Sequence, residues 1–328
     1  MNLPDTPAKI SLSPPISVII VNFNGLRFLE PCLSSLANQS FNNFEIILVD
    51  NGSSDGSADF VHQHFPRVIL VETGKNLGFA GGTNAGIRIA KGEFILTLNN
   101  DTIVDPHILE EIQKPMILDP KTGMCASKML LSDGKINSTG ICISRSGAAW
   151  DRGMNEPDTG QYDTVGEVFG PCAGAALYRR SMLDTIGLFD EDFFLFMEDV
   201  DLAFRARLSG WICTYVPGAR VMHIHGGTAG FKSDMSIYYG NRNVFWVVVK
   251  NFPWRIFLFS LPWIIGRNCA VVPYYILKGK GSVIIRAKID TLKGLRHMME
   301  KRKFIARKIT RNEIDRWIMT WSHRANPR

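Results

Sequence analysis

The densest group of titratable side chains lies between positions 189 and 205. Asp190, Glu191 and Asp192 form one acidic turn and Glu198, Asp199 and Asp201 a second, on either side of the apolar run Phe193-Phe194-Leu195-Phe196-Met197. The second turn opens a helix, where the dipole stabilises acids, so capping accounts for part of the pattern. Six acids exceed what a cap requires. An apolar wall beside a carboxylate suits a general base, which must be partly dehydrated yet ionised at neutral pH.

Two further acids stand at the ends of apolar runs. Asp50 opens Asp50-Asn51-Gly52-Ser53-Ser54-Asp55-Gly56 after the run 44–49, and Asp101 closes Asn99-Asn100-Asp101 after the run 93–98. The Asp50 segment reads equally as a turn whose side chains bond local backbone and cap the next helix, or as a carboxylate able to accept from a base N–H. Asp101 alone is commonly a turn residue. A divalent ion carrying a diphosphate nevertheless needs only one or two protein carboxylates, because phosphate oxygens and water complete its shell. His223 and His225 stand at i, i+2 and point to opposite faces, so one at most turns into a cleft with ease. Imidazole with carboxylate and phosphate oxygens suits magnesium or, better, manganese. The glycine-rich Asn76-Leu77-Gly78-Phe79-Ala80-Gly81-Gly82-Thr83-Asn84-Ala85-Gly86 permits close backbone approach, and a helix after it offers amides to phosphate. It matches neither the Walker loop nor the dinucleotide spacing.

These residues must be positioned by something, and the first two thirds of the chain supply it. Short apolar runs at 16–21, 44–49, 68–71 and 93–98 alternate with helical patterns at 26–39, 57–64 and 83–90. This is the βαβ signature of a mostly parallel α/β sheet, whose carboxyl edge is where ligands bind. The stretch 132–169, rich in Gly, Ser, Asp and Thr, predicts a loop or small antiparallel excursion. Further on, the pattern predicts a strand over 173–178, a helix over 198–209, a short strand over 213–216 with a Pro-Gly turn, and a helix over 238–249. The run 256–277 is apolar but carries Pro262, Arg267, Asn268 and Pro273, which predicts an interrupted helical hairpin.

The chain has 328 residues, 45% hydrophobic and 21% charged, enough for a full core and incompatible with a disordered or collagen-like protein. Six cysteines lie scattered with no C-x-x-C pair, which argues against a zinc knuckle or redox motif and for a reducing cytoplasm. Polar, proline-bearing residues 1–15 do not make a signal segment. The net charge of +6 divides unevenly: 15 Lys and Arg against four acids from Leu277 onward put +11 in the tail and leave −5 before it. With Trp254, Trp263, Tyr274 and Tyr275 flanking the apolar run, interfacial or shallow embedding at an anionic membrane is the favoured reading. A buried helix pair and a true span remain open alternatives, and nucleic acid is a weaker fit because aromatic residues are sparse there. Three regions result: a flexible 1–15, a catalytic 16–252, and an apolar and basic helical 253–328.

Taken in order, the segments resemble an inverting family 2 glycosyltransferase of the GT-A fold, in the rhamnosyltransferase-like branch of bacterial polysaccharide biosynthesis. The resemblance is carried by Ser17 to Gly25, Leu48 to Ser57, Asn76 to Gly86, Leu98 to Thr102, Gly187 to Phe194, Met197 to Leu202, and Arg242-Asn243. It implies a nucleoside-diphosphate sugar donor, rhamnose being the branch's sugar, and a glycan or polyprenyl-diphosphate-linked acceptor. Phe23 would stack near the base, Asp50 would bond its ring N–H, and the Val21 backbone would lie beside them. Asn76, Gly78 and Asn100 join that donor-binding set. Asp101 matches the last acid of the D-x-D motif and would hold Mn or Mg with His223; Asn99 replaces the first acid. Asp199 matches the catalytic base of the E-D motif, with Glu198 before it, and Arg242 would sit near the diphosphate or the acceptor. The resemblance implies a place at the cytoplasmic face of the inner membrane. A non-catalytic nucleotide-sugar-binding partner of a polysaccharide synthase is the alternative, against which both Asp101 and Asp199 speak.

Overall fold

The computed structural model describes residues 15–224 and 233–320. In chain order the elements are β1 (Ile16–Asn22), α1 (Leu26–Ala37), β2 (Phe44–Asp50), α2 (Ser57–His64), β3 (Ile69–Glu72), α3 (Gly78–Ile89), β4 (Phe94–Asn99), β5 (Thr102–Val104), α4 (Ile108–Leu118) and β6 (Thr122–Leu131). There follow β7 (Ile136–Ser138), β8 (Ile141–Ser144), β9 (Ala149–Asp151), β10 (Gly166–Glu167), β11 (Ala175–Arg179), α5 (Arg180–Ile186), a 3₁₀ turn at Glu191–Phe193, α6 (Glu198–Leu208) and β12 (Ile212–His223). The chain ends in α7 (Asp234–Asn251), α8 (Trp254–Leu277), α9 (Gly281–Lys293), α10 (Leu295–Arg302), α11 (Arg311–Asp315) and β13 (Ile318–Met319).

The main sheet runs β10-β12-β6-β11-β4-β1-β2-β3. β1 pairs parallel with both β2 and β4, β2 with β3, and β12 with β6, while β11 is antiparallel to β4 and β6. The unbroken apolar run of β1 follows from burial on both faces. Ile16, Val18 and Ile20 pack with Leu29, Leu33 and Ile112 on one side, and Ile19 packs with Ile87, Phe204 and Val247 on the other. The 132–169 stretch is the antiparallel excursion: β8 and β9 join β13 in a three-stranded sheet, and β10 edges onto β12.

Three expectations are corrected. The helix read at 83–90 begins at Gly78, so the glycine-rich segment lies within the helix from Gly78 onward rather than ahead of it. Its small residues are needed for packing: a Cβ on Gly82 would sit 2.8 Å from Val21 Cγ1. The short strand at 213–216 continues to His223 through a bulge around residues 217–219, which carries His223 beside β5 and β6. The predicted hairpin at 256–277 is one continuous helix, α8, despite Pro262 and Pro273. Among its residues only Ile256, Ser260 and Ile264 are buried, and by length and composition it could cross a membrane.

α7 packs against α9 and α10, which docks the basic tail onto the body. Lys301 pairs with Asp190 and Asp192, Arg316 with Glu167, and Arg145 with Asp315. Some of the tail's charge is therefore neutralised by the acidic turn at 190–192 rather than left free. The six cysteines are unpaired.

Candidate active site

Parallel pairing brings Asn22, Asp50 and Asn99 to one edge of the sheet, since Asn22 faces Asp50 and Val21 faces Asn99 across the ladder. The Asp50 carboxylate is buried; its Oδ2 accepts the Ser53 N–H at 3.0 Å and its Oδ1 faces Asn22 Nδ2 at 3.4 Å. Asn22 Oδ1 in turn accepts Asn100 Nδ2 at 2.7 Å, so one buried asparagine ties two strand ends together. The capping reading of this segment falls to Asp55, which accepts the N–H groups of Leu26 and Ser57. Val21 and Phe23 are half-buried at the rim.

Asn76 Oδ1 accepts the Gly78 N–H at 2.8 Å and Asn51 Nδ2 at 3.1 Å, which makes it part of the turn that starts α3. Gly78 adopts φ +72°, and a Cβ there would stand 2.3 Å from the Phe194 carbonyl oxygen. Its lack of a side chain is thus required by packing against the 193–197 loop, with or without a ligand.

Asp101 and His223 meet. His223 Nε2 lies 3.0 Å from Asp101 Oδ1, and its Nδ1 lies 2.7 Å from Asn137 Oδ1. Adjacent ligands of an octahedral Mg²⁺-type shell, with bonds of 2.0–2.2 Å, stand about 3 Å apart, so the pair fits two positions of one cation. Asn137 supplies the outer partner that metal-binding imidazoles take. No group of three or more His, Cys, Asp or Glu suited to a metal occurs among the described residues. His225 lies outside the described residues.

The Glu198-Asp199 pair opens α6. Asp199 Oδ1 accepts the Val200 N–H at 2.8 Å, and Oδ2 accepts the Ala173 N–H at 3.3 Å. Burial raises its carboxyl above the ordinary range, while those N–H groups pull it back. Glu198 is more deeply buried, and its Oε2 has no hydrogen-bond partner. Burial and then the Asp199 charge push it well above the carboxylate range. Neighbouring carboxyls with diverging environments are how one site keeps one ionised and the other protonated. The sheet edge and the pair are linked, because the Asn99 N–H donates to Gly174 O at 2.9 Å, one residue beyond Ala173.

Asp201 turns away from this cleft. It pairs with Lys250 and Arg205, and Lys250 also pairs with Asp190. These two ionised acids are held below the usual range by the ammonium charge of Lys250, against the upward push of burial. The six acids thus divide by partner. Arg242 is anchored by protein partners. Its Nη2 donates to the carbonyls of Asp192 and Phe193, its Nε donates to Asn243 Oδ1, and it stacks over Trp246 at 4.1 Å. Asn243 Nδ2 lies within 2.9 Å of the carbonyls of Phe193, Leu195 and Phe196. Together they fasten a loop in which Phe194, Phe196 and Met197 all adopt positive φ, backbone strain of the kind found at functional sites.

Sequence reasoning assigned no individual role to Asn22, Asn137, Asn243 or Asp151, although Asn22 and Asn243 stand in segments that carry the resemblance. Asp151, at the end of β9, is held by Ser138 and Cys172 and senses the charges of Asp199 and His223. Burial raises its carboxyl to about 6. Nothing in the sequence marked it except its place in the 132–169 stretch.

The sequence model of "Glycosyl transferase family 2" matches residues 17–187. Among relatives, the chain is 26% identical over 312 residues to an N-acetylglucosaminyl-diphospho-decaprenol L-rhamnosyltransferase of Mycobacterium tuberculosis, covering 85% of this chain and 98% of the relative. It is 26% identical over 217 residues to a poly-beta-1,6-N-acetyl-D-glucosamine synthase of Staphylococcus aureus, covering 62% of this chain and 48% of that one. Among solved structures, a mannosyltransferase of Pyrobaculum calidifontis in complex with GDP-Man and Mn²⁺ matches with a TM-score of 0.54 at 17% identity, covering 90% of this chain and 86% of that one. That likeness bears on the fold, which is the GT-A arrangement.

Proposed function

The chain belongs to glycosyl transferase family 2 and is a transferase, and from that premise we propose that it moves a sugar with inversion from a nucleoside-diphosphate donor to a lipid-linked or cell-surface glycan. The observation that carries this reading is a linked arrangement: Asp101 meets His223 at the sheet edge, and Asp199 is tied to that edge through Ala173 and Gly174.

In this account Phe23 and the Val21 backbone flank the base, and Asp50 accepts its ring N–H. Asn100, Asn76 and Gly78 shape the wall around the donor. Asp101 and His223 hold a divalent cation, manganese or magnesium. That cation supplies Lewis-acid neutralisation of charge on the departing nucleoside diphosphate. Asp199 takes the proton of the acceptor hydroxyl as it attacks the anomeric carbon from the opposite side. Burial and the Asp199 charge raise the Glu198 carboxyl well above the ordinary range, which disfavours a second negative charge beside Asp199. Arg242, with Asn243, fastens the loop that leads into Asp199 and stands near the diphosphate or the acceptor. Positioning and charge stabilisation carry the rest of the barrier.

The decaprenol-linked acceptor named for the mycobacterial relative supports a polyprenyl-diphosphate acceptor and a rhamnose donor here. The exposed α8 and the basic residues after it support peripheral association at the cytoplasmic membrane face. A panel of sugar nucleotides assayed for donor hydrolysis, with and without Mn²⁺, tests the proposal. Metal-dependent hydrolysis of one donor is expected; none across the panel contradicts a catalytic role.

A further inference from the structure

Arg267 stands near the middle of α8, where an apolar helix is least suited to a charge. Its Nη2 lies 3.4 Å from Asn241 Oδ1, and Lys288 of α9 brings its Nζ to 3.4 Å from the main-chain oxygen of the same residue. Asn241 is buried on α7, with its own Nδ2 given to Ile237 O. No carboxylate pairs with Arg267 or Lys288 among the described residues. Asp290, the acid nearest to Lys288 in the chain, is taken by Tyr238 Oη and Lys293. Burial holds both cations below their ordinary range, and burial with the Arg267 charge brings Lys288 down to about 8. Two like charges drawn to one residue, half-buried and with no carboxylate paired to them, are unfavourable unless an anion joins them. Charged groups set in apolar segments are commonly functional for this reason.

We propose that Arg267 and Lys288 bind the diphosphate of a lipid-linked acceptor, an inference that rests on the glycosyltransferase reading above. A diphosphate diester carries two negative charges, which the two cations match; a phosphodiester headgroup carries one. The guanidinium offers a fork to phosphate oxygens and the ammonium a point charge. Leu258, Phe259 and Ile265 on α8 and Ile285 and Ile289 on α9 are exposed apolar side chains able to meet a prenyl chain. The site also adjoins the catalytic loop through the chain itself. Asn241 directly precedes Arg242 and Asn243, which fasten the segment leading into Asp199.

Calorimetric titration with farnesyl diphosphate tests the proposal, with farnesol and phosphatidylglycerol vesicles as separate arms. The unaltered protein is expected to bind farnesyl diphosphate and not farnesol. Arg267→Gln/Lys288→Gln is expected to bind the diphosphate at least ~10-fold more weakly, in line with loss of charge-assisted hydrogen bonds. It should melt no lower than the unaltered protein, because a like-charge repulsion has gone. Arg267→Lys, which keeps the charge and drops the fork, should fall between. Absent binding by the unaltered protein, or equal affinity in the double variant, overturns the proposal. So does a loss confined to the vesicle arm, which would assign the pair to phospholipid headgroups. Donor hydrolysis by the unaltered protein tests the glycosyltransferase reading separately, so the two failures are distinguishable.

Discussion

Asp101 Oδ1 and His223 Nε2 lie 3.0 Å apart, and Asn137 Oδ1 stands 2.7 Å from the other imidazole nitrogen. An N–H on Nδ1 donating to Asn137 leaves the Nε2 lone pair facing a carboxylate oxygen. Two acceptors so placed need a proton or a cation between them, and the asparagine determines which nitrogen is available for it.

Asn137→Ala is therefore expected to weaken Mn²⁺ binding by roughly 10–100-fold without removing a ligand. Manganese titration in the presence of nucleoside diphosphate, followed by electron paramagnetic resonance, measures it. Unchanged affinity would show that Asn137 does not orient the imidazole.

Asp151 gives a stability prediction with a definite sign. Its folded carboxyl lies at about 6, above the usual carboxylate value near 4. The proton is thus favoured in the folded state, and this contribution is full below pH ~4 and is lost as pH rises through about 6. Asp151→Asn should stabilise the protein at pH 8 by up to about 3 kcal/mol, and hardly at all at pH 4. Denaturant midpoints at the two pH values, in chelator, decide this. A variant less stable at pH 8 would contradict it.

Lys250 stands between two buried acids, 2.6 Å from Asp190 and 2.8 Å from Asp201. Removing one partner of a buried ionic network costs about 3–5 kcal/mol. Lys301 still neutralises Asp190 and Arg205 still neutralises Asp201, so Lys250→Met should fall near the lower figure. Urea unfolding tests this, and a change within experimental scatter would mean the network is redundant.

How much of this was legible in the sequence depended on how local the cause was. β1, β2, β4 and α2 could be read within a residue or so, because a double-faced apolar run or a helix of period 3.6 announces itself locally. Asp101, His223 and Asp199 were singled out by motif order, and the structure brings Asp101 to His223 across more than a hundred residues of chain. α8 could not be read, because two prolines normally end a helix and only the continuous backbone shows that here they do not. The roles of Asn137, Asn243 and Asp151 were not legible for another reason. Each acts through a partner distant in sequence, and no spacing rule records that Asn243 will meet three carbonyls of a strained loop. What the sequence did not show of Arg242 is its aromatic stack and its carbonyl partners, which lie some fifty residues away in the chain.

The central claim is that Asp199 is the general base in a cleft where the donor is held by other residues. The most direct test is Asp199→Asn, with donor affinity measured by calorimetry beside turnover. General-base loss predicts a fall in kcat of roughly 10²–10⁴-fold with donor Kd within about twofold of the unaltered protein. Normal turnover, or donor binding lost along with activity, would contradict the account.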